Sequence, residues 1–123
     1  YAPYSGFRVG AALVCDDGTV FCGCNVESAS YGATICAERS ALSAAVAAGK
    51  RAFTAILITG DREEFVTPCG ICRQALAEFG DMDVYCANCR GEYMKARLSE
   101  LLPYSFKLKT GKTRECECTE RDL

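Results

Sequence analysis

Two short cysteine motifs, each placed where a helix can begin, constrain the fold of this chain more than any other feature of its sequence. The first is Cys36–Glu38, which opens the Ala-rich stretch 36–48, and the second is Pro68–Cys72, which opens the periodic apolar stretch 69–79. Both stretches are followed by a glycine, as helices often are. Between them, the apolar run Phe53–Thr59 predicts a buried strand. A helix, a strand and a second helix in this order can bring both helix N-termini to one edge of a sheet.

The cysteines at these helix starts predict a metal site. Cys69 and Cys72 are three residues apart, so both thiols lie on one face of a first helical turn and can bind a single ion. If Cys36 joins them, three thiolates hold a tetrahedral zinc ion and leave one position open, as catalytic zinc sites do. The chain has ten cysteines and no histidine, so the commonest neutral zinc ligand is missing. We therefore expect one zinc ion per chain, held by Cys36, Cys69 and Cys72.

The residues that follow Cys36 predict how such a site would work. Three thiolates leave a zinc ion with a net negative charge, which weakens its ability to acidify water. The two helix N-termini and Arg39, close in sequence to Cys36, are expected to offset that charge. Glu38 lies in the first helical turn, and its long side chain can bend toward a metal beyond the helix end. Because the chain has no histidine, Glu38 is the predicted proton carrier of the site.

The remaining elements predict one α/β domain spanning residues 1–123, in the order ββαβαββα. This order indicates a mixed five-stranded sheet with helices on its faces, a three-layer α/β/α sandwich. An opening hairpin, two later strands and a short final helix with Ser99 as its N-cap complete the pattern; their predicted bounds are Arg8–Cys15, Thr19–Val26, Asp83–Ala87, Glu92–Arg97 and Ser99–Leu102. The polar segment 107–123 is expected to be a surface tail.

Composition and charge exclude several classes of protein. Half of the residues are hydrophobic and 24% are charged, which is typical of a packed globule. No stretch approaches the ~20 apolar residues that a membrane-spanning helix needs, and the sequence shows no secretory leader, so we expect a soluble cytoplasmic protein without a membrane partner. The net charge is −2 and no basic block is present, which argues against nucleic acid as a partner.

The motifs together resemble a known enzyme family. Cys36–Glu38 with Pro68–Cys72 resembles the three-cysteine form of the zinc nucleobase deaminase signature. The segments YAPYSGFRVGAA at 1–12, CNVESASYG at 24–32 and ELLPYSF at 100–106 are similar to the free cytidine deaminases in particular. The resemblance implies a cytidine deaminase-like fold and the zinc-dependent hydrolytic deamination of cytidine and 2′-deoxycytidine, small nucleosides of pyrimidine salvage.

The same resemblance implies substrate-binding roles that spacing alone does not assign. Asn25 and Glu27 would hydrogen-bond the ribose hydroxyls, and Phe7 would pack against the pyrimidine. The backbone around Ala37 would help to read the edge of the base, and Glu38 would contact the ring as well as the water.

The resemblance also implies a homotetramer in which Ala29, Tyr31 and Phe106 reach the pocket of a neighbouring subunit. Small residues along the first predicted helix permit close packing there, although they can equally face the sheet: Ala41, Ala44, Ala45 and Ala48. Relatives usually carry a helix before the segment that starts at Tyr1, and this sequence lacks it. We therefore expect assembly to be the property most affected.

Other interpretations of the cysteines remain open at this point. Cys69 and Cys72 could pair with Cys86 and Cys89 in a closed four-thiolate zinc knuckle, which would make the chain a structural module. A redox role for either CxxC pair is weaker, because zinc would occupy Cys69 and Cys72. A related aminohydrolase acting on a cytosine-containing antibiotic is the alternative enzyme. We expect the strand cysteines to be buried and the tail cysteines to be exposed thiols: Cys15, Cys22 and Cys24, then Cys116 and Cys118.

Overall fold

The computed structural model describes residues 1–109. Within them the chain forms five strands and three α-helices, with these bounds: β1 Val9–Cys15, β2 Val20–Cys24, α1 Ala37–Ala47, β3 Phe53–Gly60, α2 Gly70–Ala77, β4 Asp83–Ala87, β5 Tyr93–Arg97 and α3 Leu98–Leu101. A 3-10 turn at Tyr31–Ala33, which the sequence analysis did not predict, precedes α1. The predicted order of strands and α-helices is confirmed.

The five strands form one mixed sheet in the order β2-β1-β3-β4-β5. Strands β3 and β4 run parallel, and the other neighbouring pairs are antiparallel. The turn between β1 and β2 needs Gly18, whose φ of +86° lies in the left-handed region that favours glycine. The parallel pair needs a crossover connection, and α2 supplies it. The predicted mixed five-stranded sheet is therefore confirmed.

The core lies between one face of the sheet and the helices. Inward residues of three adjacent strands are fully buried and pack with residues of α1, α2 and α3: Leu13, Ile56, Ile58 and Val84 with Ala41, Ala45, Leu76 and Leu98. Gly23 lets α1 approach β2, because a Cβ atom there would lie 2.4 Å from the Ala41 nitrogen and 2.5 Å from the Ala37 carbonyl oxygen. Since those contacts are with backbone atoms, only glycine lets the start of α1 sit this close to the sheet.

The opposite face of the sheet carries no helix from residues 1–109. Its outward residues are accordingly open, with Val20 50% and Leu57 41% exposed. The described residues thus supply two of the three predicted layers. Cys22 and Cys24 point to this open face and are exposed, so the expectation that they are buried is wrong, whereas Cys15 points to the core and is buried as expected.

The N-cap of the last helix differs from the prediction. Arg97, not Ser99, is the N-cap of α3, and its backbone N–H donates to a carboxylate oxygen of Glu100 at 2.9 Å. Ser99 lies inside the helix, where its backbone N–H and its hydroxyl both donate to Asp81 at 2.9 Å. The predicted cap is wrong because the helix begins one residue before Ser99, and the distant Asp81 carboxylate accepts a backbone N–H of its first turn.

The chain after α3 has no regular structure up to residue 109. Most of the predicted surface tail, including Cys116 and Cys118, falls at 110–123 and so outside the described residues. None of the helices between residues 1 and 109 is both long and apolar enough to cross a membrane.

Candidate metal centre and active site

The sulfur atoms of Cys36, Cys69 and Cys72 meet at one place in the fold. They lie within 4.8 Å of one another, and the Cys36 and Cys69 Sγ atoms are 3.8 Å apart. Cys36 is the N-cap of α1 and Cys69 the N-cap of α2, so both thiols come from helix starts. Zinc–sulfur bonds of ~2.3 Å at tetrahedral angles would hold two sulfurs about 3.8 Å apart. The spacing and the chemistry of these donors therefore fit a zinc ion.

Arg39 lies against this cluster. Its Nη2 atom donates to the Cys36 Sγ atom at 3.6 Å. Hydrogen bonds to Cys36, and then to Cys72, raise the pKa of the Arg39 guanidinium above its usual value. The neighbouring Nε atom is buried and has no hydrogen-bond partner within the described part of the chain. A permanent positive charge thus lies where the sequence analysis expected one to offset the thiolates.

The thiols differ in how readily they ionise. Partial burial acts to raise the pKa of Cys69, but contacts with the backbone N–H and the thiol of Cys72 lower it overall. Burial, followed by the negative charge of Glu38, raises the pKa of Cys72. A divalent cation between the sulfurs would favour all three thiolates together. The ionisation of the cluster is therefore expected to depend on metal binding.

Glu38 and Ala37 occupy the first turn of α1, directly after the first cysteine. Ala37 is fully buried and Glu38 is 4% exposed. The Glu38 carboxylate is close enough to Cys72 for its charge to raise the pKa of that thiol. A buried carboxylate is unfavourable unless a partner compensates it, and a cation held by the three sulfurs would do so. The predicted proton carrier is therefore beside the predicted metal ligands.

Asn25 and Phe7 are joined through the N-terminal strap, which we define as residues 1–9. The Asn25 Oδ1 atom accepts the Val9 N–H at 3.0 Å, and its Nδ2 atom donates to the Phe7 carbonyl at 2.8 Å. The Phe7 ring packs so closely on Gly60 that a Cβ atom there would lie 2.9 Å from it, and the Arg62 guanidinium stands 4.6 Å from the ring centroid. The strap is thus fixed at both the backbone and the ring.

Glu27 holds the same strap one step further along the chain. Its Oε1 atom accepts the backbone N–H groups of Tyr4 at 3.0 Å and Ser5 at 3.1 Å. The preceding residue, Val26, forms a two-hydrogen-bond bridge with Ile35, which stands immediately before the cysteine that caps α1. This bridge connects the strap to the metal cluster. We call Phe7, Asn25 and Glu27, which were predicted to bind base and ribose and which all belong to or contact the strap, the substrate rim.

The residues predicted to reach a neighbouring subunit lie on the surface of the single chain. Ala29 is exposed, Tyr31 is 79% exposed and Phe106 is 67% exposed. The Gln74 side chain holds Phe106 by its backbone, donating to its carbonyl at 2.8 Å and accepting its N–H at 3.3 Å. In the single chain, the side chains of Ala29, Tyr31 and Phe106 are therefore exposed to solvent.

Arg73 braces the loop that carries Cys69. Its Nε atom donates to the Pro68 carbonyl at 2.7 Å, and its Nη1 atom donates to the Leu101 carbonyl at 2.8 Å. The sequence analysis gave no role to Arg73, to Gln74 or to Ser5. Arg73 and Gln74 directly follow the motif Pro68–Cys72, and this position is the sequence signal that could have marked them as part of the site.

The alternative four-thiolate knuckle is wrong. Cys86 lies on β4, is fully buried and points into the core, whereas Cys89 is exposed beyond the end of that strand. In residues 1–109 the cysteine group close enough to hold a metal consists of Cys36, Cys69 and Cys72. Burial, together with the nearby charge of Glu38, raises the pKa of the Cys86 thiol, but the Cys86 sulfur does not join the three that lie within 4.8 Å of one another.

Comparison with known proteins agrees with this geometry. Residues 1–98 match the family model described as the cytidine and deoxycytidylate deaminase zinc-binding region. The cytidine deaminase of Sporosarcina psychrophila is 48% identical over 108 residues, covering 86% of this chain and 79% of that protein. The crystal structure of cytidine deaminase from Burkholderia pseudomallei is 50% identical and superposes with a TM-score of 0.83, covering 86% of this chain and 87% of that one.

A relative with the alternative activity is more distant. The blasticidin-S deaminase of Bacillus cereus is 27% identical over 107 residues, covering 80% of this chain and 76% of that protein. The family match extends over most of the chain and includes both cysteine motifs. This chain therefore belongs to the cytidine and deoxycytidylate deaminase family, whose members share a zinc-binding region.

Proposed function

We propose that this chain catalyses the hydrolytic deamination of cytidine and 2′-deoxycytidine, producing uridine or 2′-deoxyuridine and ammonia. The observation that carries the proposal is the group of three cysteine sulfurs at zinc spacing with the buried Glu38 beside it. The relatives named cytidine deaminase, at 48% and 50% identity, support this substrate over the antibiotic, whose deaminase is 27% identical.

The metal-binding residues of the proposal are Cys36, Cys69 and Cys72, with Arg39 beside them to offset the charge of the thiolates. A zinc ion bound there would make a water molecule acidic enough to react near neutral pH. The helix starts that carry two of these cysteines add partial positive charge at the same point.

Glu38 is the proposed proton carrier. In the reaction, the oxygen of water bonds to the amine-bearing carbon of the ring, and the bond from that carbon to the amine nitrogen then breaks. Glu38 takes one proton from the attacking water and delivers it to the ring nitrogen. It then moves the second proton, from the added hydroxyl, to the departing amine, which leaves as ammonia. Its side chain is buried, so the carboxylate is largely shielded from solvent.

The substrate rim supplies recognition in this proposal. Phe7 packs against the pyrimidine, and the backbone around Ala37 reads the edge of the base. Asn25 and Glu27 accept hydrogen bonds from the ribose hydroxyls, and their own bonds to the strap orient them for this role. A site arranged for a sugar favours a nucleoside.

The proposed active form is a cytoplasmic homotetramer that serves pyrimidine salvage. In it, Ala29, Tyr31 and Phe106 contribute to the pocket of a neighbouring subunit, and their exposure in the single chain supports this arrangement. The net charge of −2 accords with a small nucleoside as the substrate, and neither nucleic acid nor a membrane is a proposed partner.

A direct test is to mix the zinc-loaded protein with cytidine and follow the fall in ultraviolet absorbance. We expect turnover by the parent chain and a loss of about 10²- to 10⁴-fold in kcat for Glu38→Gln, the usual contribution of a positioned acid–base group. The matched control is Glu64→Gln, which changes an exposed carboxylate in the loop before the second motif. An unchanged rate for Glu38→Gln, or the same loss in both variants, would contradict the assigned role.

A further inference from the structure

Ser5 lies at the centre of the hydrogen bonds that fix the substrate rim. Its hydroxyl donates to the Oε2 atom of Glu27 and accepts the backbone N–H of Phe7 at 3.0 Å. Its own backbone N–H donates to the other Glu27 oxygen at 3.1 Å. One small side chain therefore joins the residue proposed to bind the ribose to the residue proposed to pack on the base.

Within residues 1–109, the hydrogen bonds to Glu27 leave one lone-pair position of its carboxylate without a partner. An ionised carboxylate has about four lone-pair positions for hydrogen bonds. Tyr4 and Ser5 fill three of them, two on Oε1 and one on Oε2. The remaining position, on Oε2, is directed by the bond from the serine hydroxyl. That bond, with those from the backbone, also holds the pKa of Glu27 below its usual value, so the carboxylate stays an acceptor at neutral pH.

The carboxylate faces a space large enough for a sugar. A cavity of about 250 Å³ lies on this side of the molecule, lined by Tyr4, Ser5, Glu27, Ser28, Tyr31 and Thr34. Thr34 stands two residues before the first cysteine of the metal cluster, and its hydroxyl accepts the Ser28 N–H at 3.2 Å. The cavity thus lies beside Ser5 and Glu27 and is bounded on one side by the segment that leads to Cys36.

We propose that Ser5 is a positioning residue for substrate selection, which aims the free acceptor of Glu27 at a ribose hydroxyl and sets the backbone of Phe7 against the base. This inference rests on the proposed function, because it assumes a nucleoside in the site. It assigns no proton transfer to Ser5. Its consequence is that the preference for substrates with sugar hydroxyls depends on the serine hydroxyl.

The test compares kcat and KM for cytidine and for 2′,3′-dideoxycytidine, which lacks both ribose hydroxyls. Ser5→Ala is expected to raise KM for cytidine about tenfold, the effect of losing a charge-assisted hydrogen bond, with kcat changed by less than about threefold. The preference for cytidine over the dideoxy compound is expected to fall by about the same tenfold factor. Ser5→Thr retains the hydroxyl and is expected to restore the preference.

Two measurements keep the test specific to Ser5. The zinc content of each variant is expected to stay near one per chain, because the metal cluster is untouched. Ser43→Ala is the matched control, since Ser43 is exposed on α1 and its hydroxyl makes no hydrogen bond within residues 1–109. Its kinetics are expected to equal those of the parent chain.

The outcomes are distinguishable. An equal loss with both substrates, leaving the preference unchanged, would show that Ser5 only braces the strap and would overturn the inference. If Ser5→Ala does not fold, Ser5→Cys keeps a similar volume with a weaker donor and is expected to lower the preference partway; an unchanged preference there overturns the inference as well. No turnover of cytidine by the zinc-loaded parent chain would instead overturn the proposed function and, with it, the role of Ser5.

Discussion

The metal cluster and the substrate rim are neighbours, but different forces hold them in place. The cysteines and Glu38 are positioned by the starts of α1 and α2, two helices whose inner residues belong to the core. The rim lies along a partly exposed strap, which is held by individual hydrogen bonds with Asn25 and Glu27 and by the contacts of the Phe7 ring. Packing of a domain is cooperative, whereas each such bond contributes about 1 kcal/mol. Substitutions in the metal cluster should therefore abolish activity, whereas substitutions in the rim should reduce activity without abolishing it.

The largest effect is expected when one of the cysteines proposed to bind zinc is removed. Cys36→Ala is expected to release the zinc or to lower kcat by more than about 10³-fold, because two thiolates no longer complete the site. Zinc content by elemental analysis and the rate of cytidine turnover check this. Cys86→Ala is the control: it removes a buried thiol outside the cluster, so zinc should remain bound although the protein loses about 1 to 2 kcal/mol of stability. Zinc loss from Cys86→Ala alone would reverse the assignment.

A second prediction concerns how the first helix start is held. Gly23→Ala would place a methyl group 2.4 Å from the Ala41 nitrogen and so push α1 off the sheet. We expect a loss of about 3 kcal/mol or more in the free energy of unfolding, together with weaker zinc binding, because Cys36 moves with the helix. Chemical denaturation and a zinc competition assay measure both. Gly32→Ala serves as the control, since a Cβ atom there meets nothing within 4 Å.

A milder change is expected at the rim. Asn25→Ala leaves the Val9 N–H and the Phe7 carbonyl without their side-chain partner. The predicted result is a KM for cytidine raised about tenfold and a stability reduced by about 1 to 3 kcal/mol, with the zinc content unchanged. Steady-state kinetics, thermal unfolding and metal analysis of the same sample decide it. Release of zinc from this variant would show that rim and cluster are not independent.

The smallest predicted effect is a shift in pH dependence. Arg39 places a positive charge beside Cys36, and such a charge lowers the pKa of any group that must lose a proton nearby. Removing the charge in Arg39→Gln should raise that pKa, so the acidic limb of the profile of kcat/KM against pH should move upward by about 1 unit. Arg39→Lys keeps the charge and should move it less. Superimposable profiles for Arg39→Gln and the parent chain would contradict the role of Arg39.

The same contrast explains how much the sequence could predict. The cluster was predictable because each cysteine stands at a local helix signal, so that Cys36, Cys69 and Cys72 could be placed without knowing their distant contacts. The rim contacts were not predictable, since the partners of Asn25 and Glu27 lie in the strap, 16 or more residues away along the chain. Family resemblance marked those residues but gave no partners.

Errors in the sequence analysis have the same origin. Ser99 has the chemistry of an N-cap, yet Asp81, 18 residues earlier, takes both of its donors. Cys22 and Cys24 are two residues apart and therefore lie on the same face of their strand, but this spacing does not tell which face of the sheet is covered by helices. In each case local chemistry was interpreted correctly and a long-range neighbour decided the outcome.

The two hydrogen bonds of the Arg73 guanidinium bear on how far the chain can be shortened at its C-terminal end. The family match ends at residue 98, yet this guanidinium ties the loop of Cys69 to the carbonyl of Leu101, in the helix that follows. A chain cut after β5 would retain every proposed ligand and the proposed proton carrier, but one side of that loop would lose its anchor. We therefore expect a chain that keeps the last helix to hold Cys69 in place better than one cut after β5, although this helix supplies no zinc ligand.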